Sequence, residues 1–100
     1  MDRISREELV KIYNIEIKFF DSLEESGLVK TEIDNDVKYL RFEELPAFER
    51  FTNWHYDLDV NIPGLEVIHH LLQQMEQLRD ENRRLISRRI IVTDDFEDLD

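Results

Sequence analysis

A heptad pattern near the end of the chain is the feature that most limits how these 100 residues can fold. Over residues 63–92, apolar side chains recur at alternating steps of three and four, which is the spacing of a and d positions in a coiled coil. The seam consists of Ile68, Leu71, Met75, Leu78, Asn82 and Leu85. The rest of so small a chain is too short to cover this seam. The pattern therefore predicts a long dimerisation helix and a homodimer.

Other residues mark the start, the register and the end of this helix. Pro63 and Gly64 are typical of a helix start. Asn82 lies at an a position, where a polar residue fixes the register and favours two strands at some cost in stability. Both parallel and antiparallel pairing fit the pattern. Residues 93–100 contain five acidic residues and no basic one, which predicts a disordered acidic tail.

Two short helices are predicted before residue 28. Ser5 and Glu8 form a capping box ahead of a helix over residues 5–13. A second helix starts at Ile15, carries its apolar residues on one side, and ends at Gly27, a residue type that commonly closes helices. Two helices that meet across a tight turn indicate a helix-turn-helix.

A β-hairpin and a third helix follow. Two runs rich in β-forming residues, 28–33 and 37–42, flank a turn-forming Asp-Asn-Asp sequence. Another helix opens at Glu43, and Pro46 is tolerated in its first turn. The chain is therefore predicted to be mainly α, with a winged helix-turn-helix domain at residues 1–62 ahead of the dimerisation helix and the tail.

The charge of the chain bears on its partners. There are 24 acidic and 13 basic residues, which gives a net charge of −11. This charge opposes sequence-independent attraction to a phosphate backbone and favours basic partners. Residues 15–27, the predicted second helix, contain four acidic residues and a single lysine. No segment of the sequence forms a basic patch.

Neither metal binding nor catalysis is indicated. His69 and His70 are adjacent and point to different sides of a helix, and His55 lies on another element, so the geometry of a helical zinc site is missing. The spacing of the carboxylates picks out no catalytic pair. With two glycines in the chain, a loop that cradles phosphate is hard to build. We expect no enzymatic activity and no cofactor.

The sequence also suggests where the protein resides. The chain has no cysteine, which suits a reducing compartment. Its N-terminus lacks the apolar segment of a signal peptide, and no apolar run reaches the roughly 18–20 residues of a membrane helix. We therefore expect a soluble cytoplasmic protein.

The order of the predicted elements resembles that of the MerR-type winged-helix regulators, whose dimers form by antiparallel pairing of the last helix. The second helix of those regulators follows the pattern V-S-x-x-T-L-R-Y-Y-E-x-x-G-L. We align the chain with this pattern on Gly27-Leu28. The pattern positions V, S, T, L and E then correspond, in that order, to Ile15, Glu16, Phe19, Phe20 and Glu24. The Arg-Tyr-Tyr of the pattern becomes Asp21-Ser22-Leu23. The resemblance thus implies that a carboxylate replaces an arginine of the phosphate-contacting surface.

The later part of the chain resembles the CbpM family of chaperone modulators, which are small MerR-like proteins that regulate a DnaJ-like co-chaperone. The family's H-E-L-x-L-D-W-P-G is similar to His55-Tyr56-Asp57-Leu58-Asp59 followed by Ile62-Pro63-Gly64. Its later L-K-x-E-N-R-x-L is similar to the stretch that contains Leu78, Asp80, Glu81, Asn82, Arg83 and Leu85.

This second resemblance implies a non-enzymatic homodimer that binds the J domain of a co-chaperone and tunes its action with the Hsp70 chaperone. J domains present a basic helix, which an acidic surface can recognise by charge complementarity. The residues predicted to make this contact are Glu16, Asp21, Glu24 and Glu25.

Two alternatives remain open. One is a MerR-like transcriptional regulator that binds DNA through Lys18, Lys30, Lys38 and Arg41. The other is a subunit that docks an unrelated partner through the coiled coil, which shares the predicted fold and differs only in the partner.

Overall fold

The structure of the chain, a computed structural model, describes residues 2–92 and the side chains up to residue 88. The chain divides into two units between Val67 and Ile68. A 3₁₀ turn at Phe42–Glu44 precedes the third helix. In chain order, the helices and strands are β1 (Arg3–Ser5), α1 (Arg6–Tyr13), α2 (Ile17–Glu25), β2 (Thr31–Asp34), β3 (Val37–Arg41), α3 (Leu45–Leu58) and α4 (Ile62–Val92). The acidic tail predicted at residues 93–100 lies outside the described residues.

The N-terminus of α1 is capped as the sequence predicts. The Ser5 hydroxyl oxygen accepts a hydrogen bond from the backbone N–H of Glu8 at 3.2 Å, which satisfies a donor that the helix itself leaves unpaired. Arg3–Ser5 form β1, a strand that the sequence analysis does not predict. A three-residue strand has too few positions for a periodic signal, and this one is defined by its pairing with β3.

The C-terminus of α2 is closed by a glycine motif. Gly27 has φ 79°, its N–H donates to the carbonyl of Glu24 at 3.0 Å, and the N–H of Leu28 donates to the carbonyl of Leu23 at 2.9 Å. These two bonds define a Schellman motif, with the buried Leu23 and Leu28 as its apolar pair. The start of α2 differs from the prediction by two residues, because Ile15 is buried in the turn before the helix.

The predicted hairpin is present and forms a sheet with β1. The strand order is β1-β3-β2, and both pairings are antiparallel. Asp34 pairs with Val37, so the connection consists of Asn35 and Asp36 alone, with φ values of 51° and 63°. Positive φ at both positions is what a type I′ hairpin turn requires, and Asn and Asp tolerate it best after glycine. We call this hairpin, Thr31–Arg41, the wing.

The helices and the inner face of the sheet enclose one apolar core. α2 contributes three buried residues, as its predicted apolar side implies, and α3 contributes two phenylalanines. Each such side chain adds roughly 1.5–3 kcal/mol of hydrophobic stabilisation when it is fully buried. The largest fully buried side chains are Phe20, Phe48, Phe51, Leu9, Leu23, Leu40, Leu65 and Val29.

α4 is a single helix of 31 residues, close to the predicted bounds. Before its first turn, the Asn61 side-chain oxygen accepts a hydrogen bond from the backbone N–H of Gly64 at 2.8 Å, a cap that the sequence analysis missed. Every side chain from His70 to Arg88 is exposed. Seam residues such as Met75 and Leu78 are 54% and 61% exposed. Their pairing with a second helix stays a prediction.

No helix within residues 2–92 has both the length and the apolar character needed to cross a bilayer.

The left-handed conformation of Gly27 leads to a stability prediction. Nothing lies within 4 Å of a Cβ built at Gly27, so Gly27→Ala adds backbone strain without a clash. We expect the free energy of unfolding to fall by about 1–2 kcal/mol, measured by urea denaturation. Gly27→Asn is the matched control and should recover part of the loss, since Asn tolerates positive φ. Equal stability of the Ala variant and the natural chain would contradict the assignment.

Candidate functional site

α2 occupies the place of the recognition helix in a helix-turn-helix, so its outward side is the first candidate surface. Its inner side is buried in the core. The outward positions, spaced by three and four residues, are Lys18, Asp21, Ser22 and Glu25. The two carboxylates outnumber the one lysine, so the outward side of α2 is acidic.

Asp21 is held in an internal ion pair. Its Oδ1 lies 3.0 Å from Nη1 of Arg6, the first residue of α1. Arg6 also contacts Glu7 at 3.0 Å, and the hydrogen bond to Asp21, followed by the one to Glu7, raises the pKa of Arg6 above its ordinary value. The carboxylate that replaces an arginine of the MerR pattern therefore neutralises a cation of the same chain.

Glu24 connects α2 to the wing. Its Oε1 lies 2.5 Å from the Lys38 ammonium, and its Oε2 accepts a short hydrogen bond from the Thr31 hydroxyl. The hydrogen bond from Lys38, and then the one from Thr31, lowers the pKa of Glu24. Thr31 and Lys38 lie on β2 and β3, so one carboxylate fixes both strands of the wing against the helix.

Arg3 is engaged on the outer face of the sheet. Its guanidinium contacts Glu32 at 3.1 Å and Asp34 at 2.7 Å, both on the neighbouring wing. It also lies 4.0 Å from the ring centroid of Tyr39, in a cation–π arrangement. These contacts cover the basic group from three sides.

Arg41 is engaged in the same way at the end of β3. It contacts Glu43 at 2.6 Å, Glu32 at 2.8 Å and Asp2 at 3.3 Å. The hydrogen bond that Arg41 donates to Glu32, and then the one that it donates to Glu43, raises the pKa of Arg41. Together with Arg3, Arg41 places the Glu32 carboxylate between two cations.

The basic residues predicted for DNA contact fall into two groups. Lys38 and Arg41 lie in the ion pairs described above. Lys18 on α2 and Lys30 in the loop after it are exposed. The structure thus leaves two of the four predicted side chains outside these ion pairs, and they belong to different elements.

The acidic residues predicted for protein contact divide similarly. Asp21 and Glu24 belong to internal ion pairs, an outcome that the sequence analysis did not foresee because Arg6 and Lys38 are distant in sequence. Glu16 and Glu25 are exposed at the two ends of α2, about 14 Å apart along its axis. Asp36, at the tip of the wing, is also exposed.

An aromatic cluster holds the start of α2 against the end of α3. The Phe19 ring stacks on the His55 ring with centroids 4.3 Å apart, and it meets the Tyr56 ring edge-on at 5.2 Å. The Tyr56 hydroxyl accepts a hydrogen bond from the backbone N–H of Glu16 at 3.1 Å. His55 donates through Nδ1 to the carbonyl of Val60 at 2.8 Å. Phe19, His55 and Tyr56 carry parts of the two family resemblances, but their positions in the sequence do not predict that their rings meet.

The described residues contain no group of three or more His, Asp or Glu side chains placed to hold a metal ion. His55 is engaged in the aromatic cluster, on a different helix from His69 and His70.

The chain matches a known protein family. The sequence pattern of the family described as MerR HTH family regulatory protein matches residues 4–87. This range begins in β1 and ends inside α4, so it covers both units of the chain. Neither the curated proteins nor the solved structures that were compared with the chain gave a match.

The Glu24 contacts lead to a pH prediction. Because the pKa of Glu24 is lowered in the folded state, its contribution is complete above the ordinary value of about 4.5 and is lost as the pH falls through the folded value. We expect Glu24→Gln to lose about 1 kcal/mol of unfolding free energy at pH 7, and the gap from the natural chain should close as the pH falls below about 4.5.

Urea denaturation across the pH range measures this gap. The control is Glu25→Gln, on the exposed neighbour, which should follow the natural chain at every pH. A gap for Glu24→Gln that stays constant from pH 7 to pH 3 would contradict the role of the carboxylate charge.

Proposed function

The chain belongs to the MerR HTH family of regulatory proteins, and from this premise we propose that it regulates by binding a basic protein surface in place of DNA. The protein is a non-enzymatic chaperone modulator of the CbpM type. It binds the J domain of a DnaJ-like co-chaperone and tunes the action of that co-chaperone with Hsp70.

The observation that carries this proposal is the internal neutralisation of four basic side chains around α2 and the wing. Arg3, Arg6, Lys38 and Arg41 all form ion pairs with carboxylates of the same chain. Phosphate contact by these groups would break pairs that each contribute up to about 1 kcal/mol. A DNA-binding surface needs such cations to displace counterions from the backbone.

The net charge also disfavours DNA binding and favours a basic partner. Residues 1–62 contain fifteen acidic residues against eight basic ones. With Arg6 and Lys38 engaged, the exposed Glu16 and Glu25 contribute the negative potential at the two ends of α2. Such a surface repels phosphate and attracts a basic helix. A basic helix is the feature by which a J domain would be recognised.

The second candidate function is transcriptional regulation by DNA binding. The family match and the exposed Lys18 and Lys30 favour it. This candidate requires affinity for duplex DNA that falls steeply with salt, since phosphate contacts release counterions.

The protein acts as an antiparallel homodimer through α4. The exposed seam supplies the apolar surface, and the charges along the helix supply the direction. Residues 62–78 contain two acidic residues and no Lys or Arg, whereas residues 79–92 contain five arginines and two acidic residues. Antiparallel pairing places the basic half of one helix beside the acidic half of the other, and parallel pairing places arginines beside arginines.

Charge reversal at the exposed carboxylates tests the partner. Asp21 and Glu24 are unsuitable because a lysine there would face Arg6 or Lys38 and weaken the fold. The double variant Glu16→Lys with Glu25→Lys leaves those pairs intact. We expect its affinity for a purified J domain, measured by titration calorimetry, to fall at least about tenfold.

The matched control is Glu66→Lys, a reversal on α4 at an exposed carboxylate that takes part in none of the ion pairs described above. It should change the J-domain affinity by less than about threefold. If the double variant keeps its J-domain affinity and gains strong affinity for duplex DNA, the modulator proposal fails and the DNA-binding candidate takes its place.

Disruption of the seam tests the dimer. Leu78→Asp with Leu85→Asp places two carboxylates in the predicted interface, so we expect sedimentation equilibrium to give the mass of a monomer. Gln73→Asp with Gln77→Asp adds the same charge outside the seam and should stay dimeric. A dimeric seam variant would refute the assignment of the interface.

A further inference from the structure

Three large apolar side chains are exposed at the two helix ends where α2 begins and α3 ends, and we call this set the apolar patch. Ile17 is 42% exposed, Tyr56 is 41% exposed and Leu58 is 66% exposed. The two helix ends are held together by the hydrogen bond from the Glu16 N–H to the Tyr56 hydroxyl and by the contact between the Phe19 and Tyr56 rings. The function proposed above rests on the paired basic residues. It assigns no role to these apolar side chains.

The centre of this patch is rigid. The Tyr56 ring is fixed at one end by its hydroxyl contact to α2 and along its edge by Phe19 and His55. A side chain that is already ordered loses little conformational entropy when a partner covers it. Tyrosines of this kind, partly exposed and held in place, are typical anchors of protein interfaces.

Carboxylates flank the apolar residues in the sequence. Glu16, Asp57 and Asp59 are exposed beside Ile17, Tyr56 and Leu58 in sequence. Residues 51–78 contain no Lys or Arg, and Lys18 is the one basic neighbour in α2. The C-terminal end of α3 adds the negative end of its helix dipole. The patch therefore combines apolar contact area with a negative rim.

We infer that this patch, residues 16–17 with residues 56–59, is the docking site for a basic amphipathic helix of the protein partner. The inference rests on the proposed function for the identity of that partner. The apolar side chains contact the apolar side of that helix, and the carboxylates pair with its lysines and arginines. The binding surface thus extends from α2 onto the end of α3.

Substitution of exposed apolar residues tests the location. Leu58→Ser removes the most exposed side chain of the patch. We expect it to weaken binding of a purified J domain at least about tenfold in titration calorimetry. Ile33→Ser is the matched control, because Ile33 is 70% exposed but lies on the wing, and it should change the affinity by less than about twofold. Equal effects of the two substitutions would overturn the inference.

A second experiment separates this inference from the proposed function. The isotopically labelled full-length protein is titrated with an amphipathic peptide of Leu and Lys, about four helical turns long, and with a scrambled peptide of the same composition. We expect backbone NMR shifts for the first peptide at Ile17, Tyr56 and Leu58 and none for the scrambled one. Shifts confined to the wing or α4 would overturn the docking site.

The two failures are then distinguishable. If no J domain binds but the amphipathic peptide still shifts the patch, the proposed partner is wrong and the docking site stands. If Leu58→Ser changes the mass of the dimer in sedimentation equilibrium, a second copy of the chain covers the patch and the inference is wrong.

Discussion

The ion pair between Glu24 and Lys38 is the contact on which the geometry of this surface depends. It joins the wing to α2 and, with the Thr31 hydroxyl, fixes both strands of the hairpin by one carboxylate. The same contact neutralises a cation that a DNA-binding wing would present to phosphate. Arg6 is used in the same way by Asp21. The chain therefore keeps the helix-turn-helix of its family, while its own carboxylates pair with Arg6 and Lys38 beside the recognition helix.

The sequence predicts those parts of the fold that depend on local chemistry. The Ser5 cap, the Gly27 terminus and the turn before Val37 are each specified by residues within a few positions, and each is present. β1 was missed because Arg3–Ser5 become a strand through a partner far away in sequence. The cap at Asn61 is not predicted, although Asn is a good capping residue. Pro63, which is typical of the first turn of a helix, places the predicted helix start after it.

The candidate site was predicted less completely than the fold. The acidic character of α2 can be counted from the sequence, but which carboxylates are exposed depends on long-range pairs such as Asp21 with Arg6. The distinction matters for function, since an internally paired carboxylate attracts a partner less strongly than an exposed one such as Glu16. The aromatic cluster of Phe19, His55 and Tyr56 joins α2 to α3 across more than thirty residues, and periodicity within one helix gives no sign of it.

The central claim is that this chain has the fold of a DNA-binding protein but binds a basic protein surface. One comparison on the natural chain tests this claim most directly. Fluorescence anisotropy would measure its affinity for a labelled J domain and for a labelled mixed-sequence duplex at about 50 mM and about 200 mM salt. The account predicts J-domain binding that weakens with salt and no measurable binding of the duplex at either concentration. Duplex binding that falls steeply with salt, together with no binding of the J domain, would contradict it.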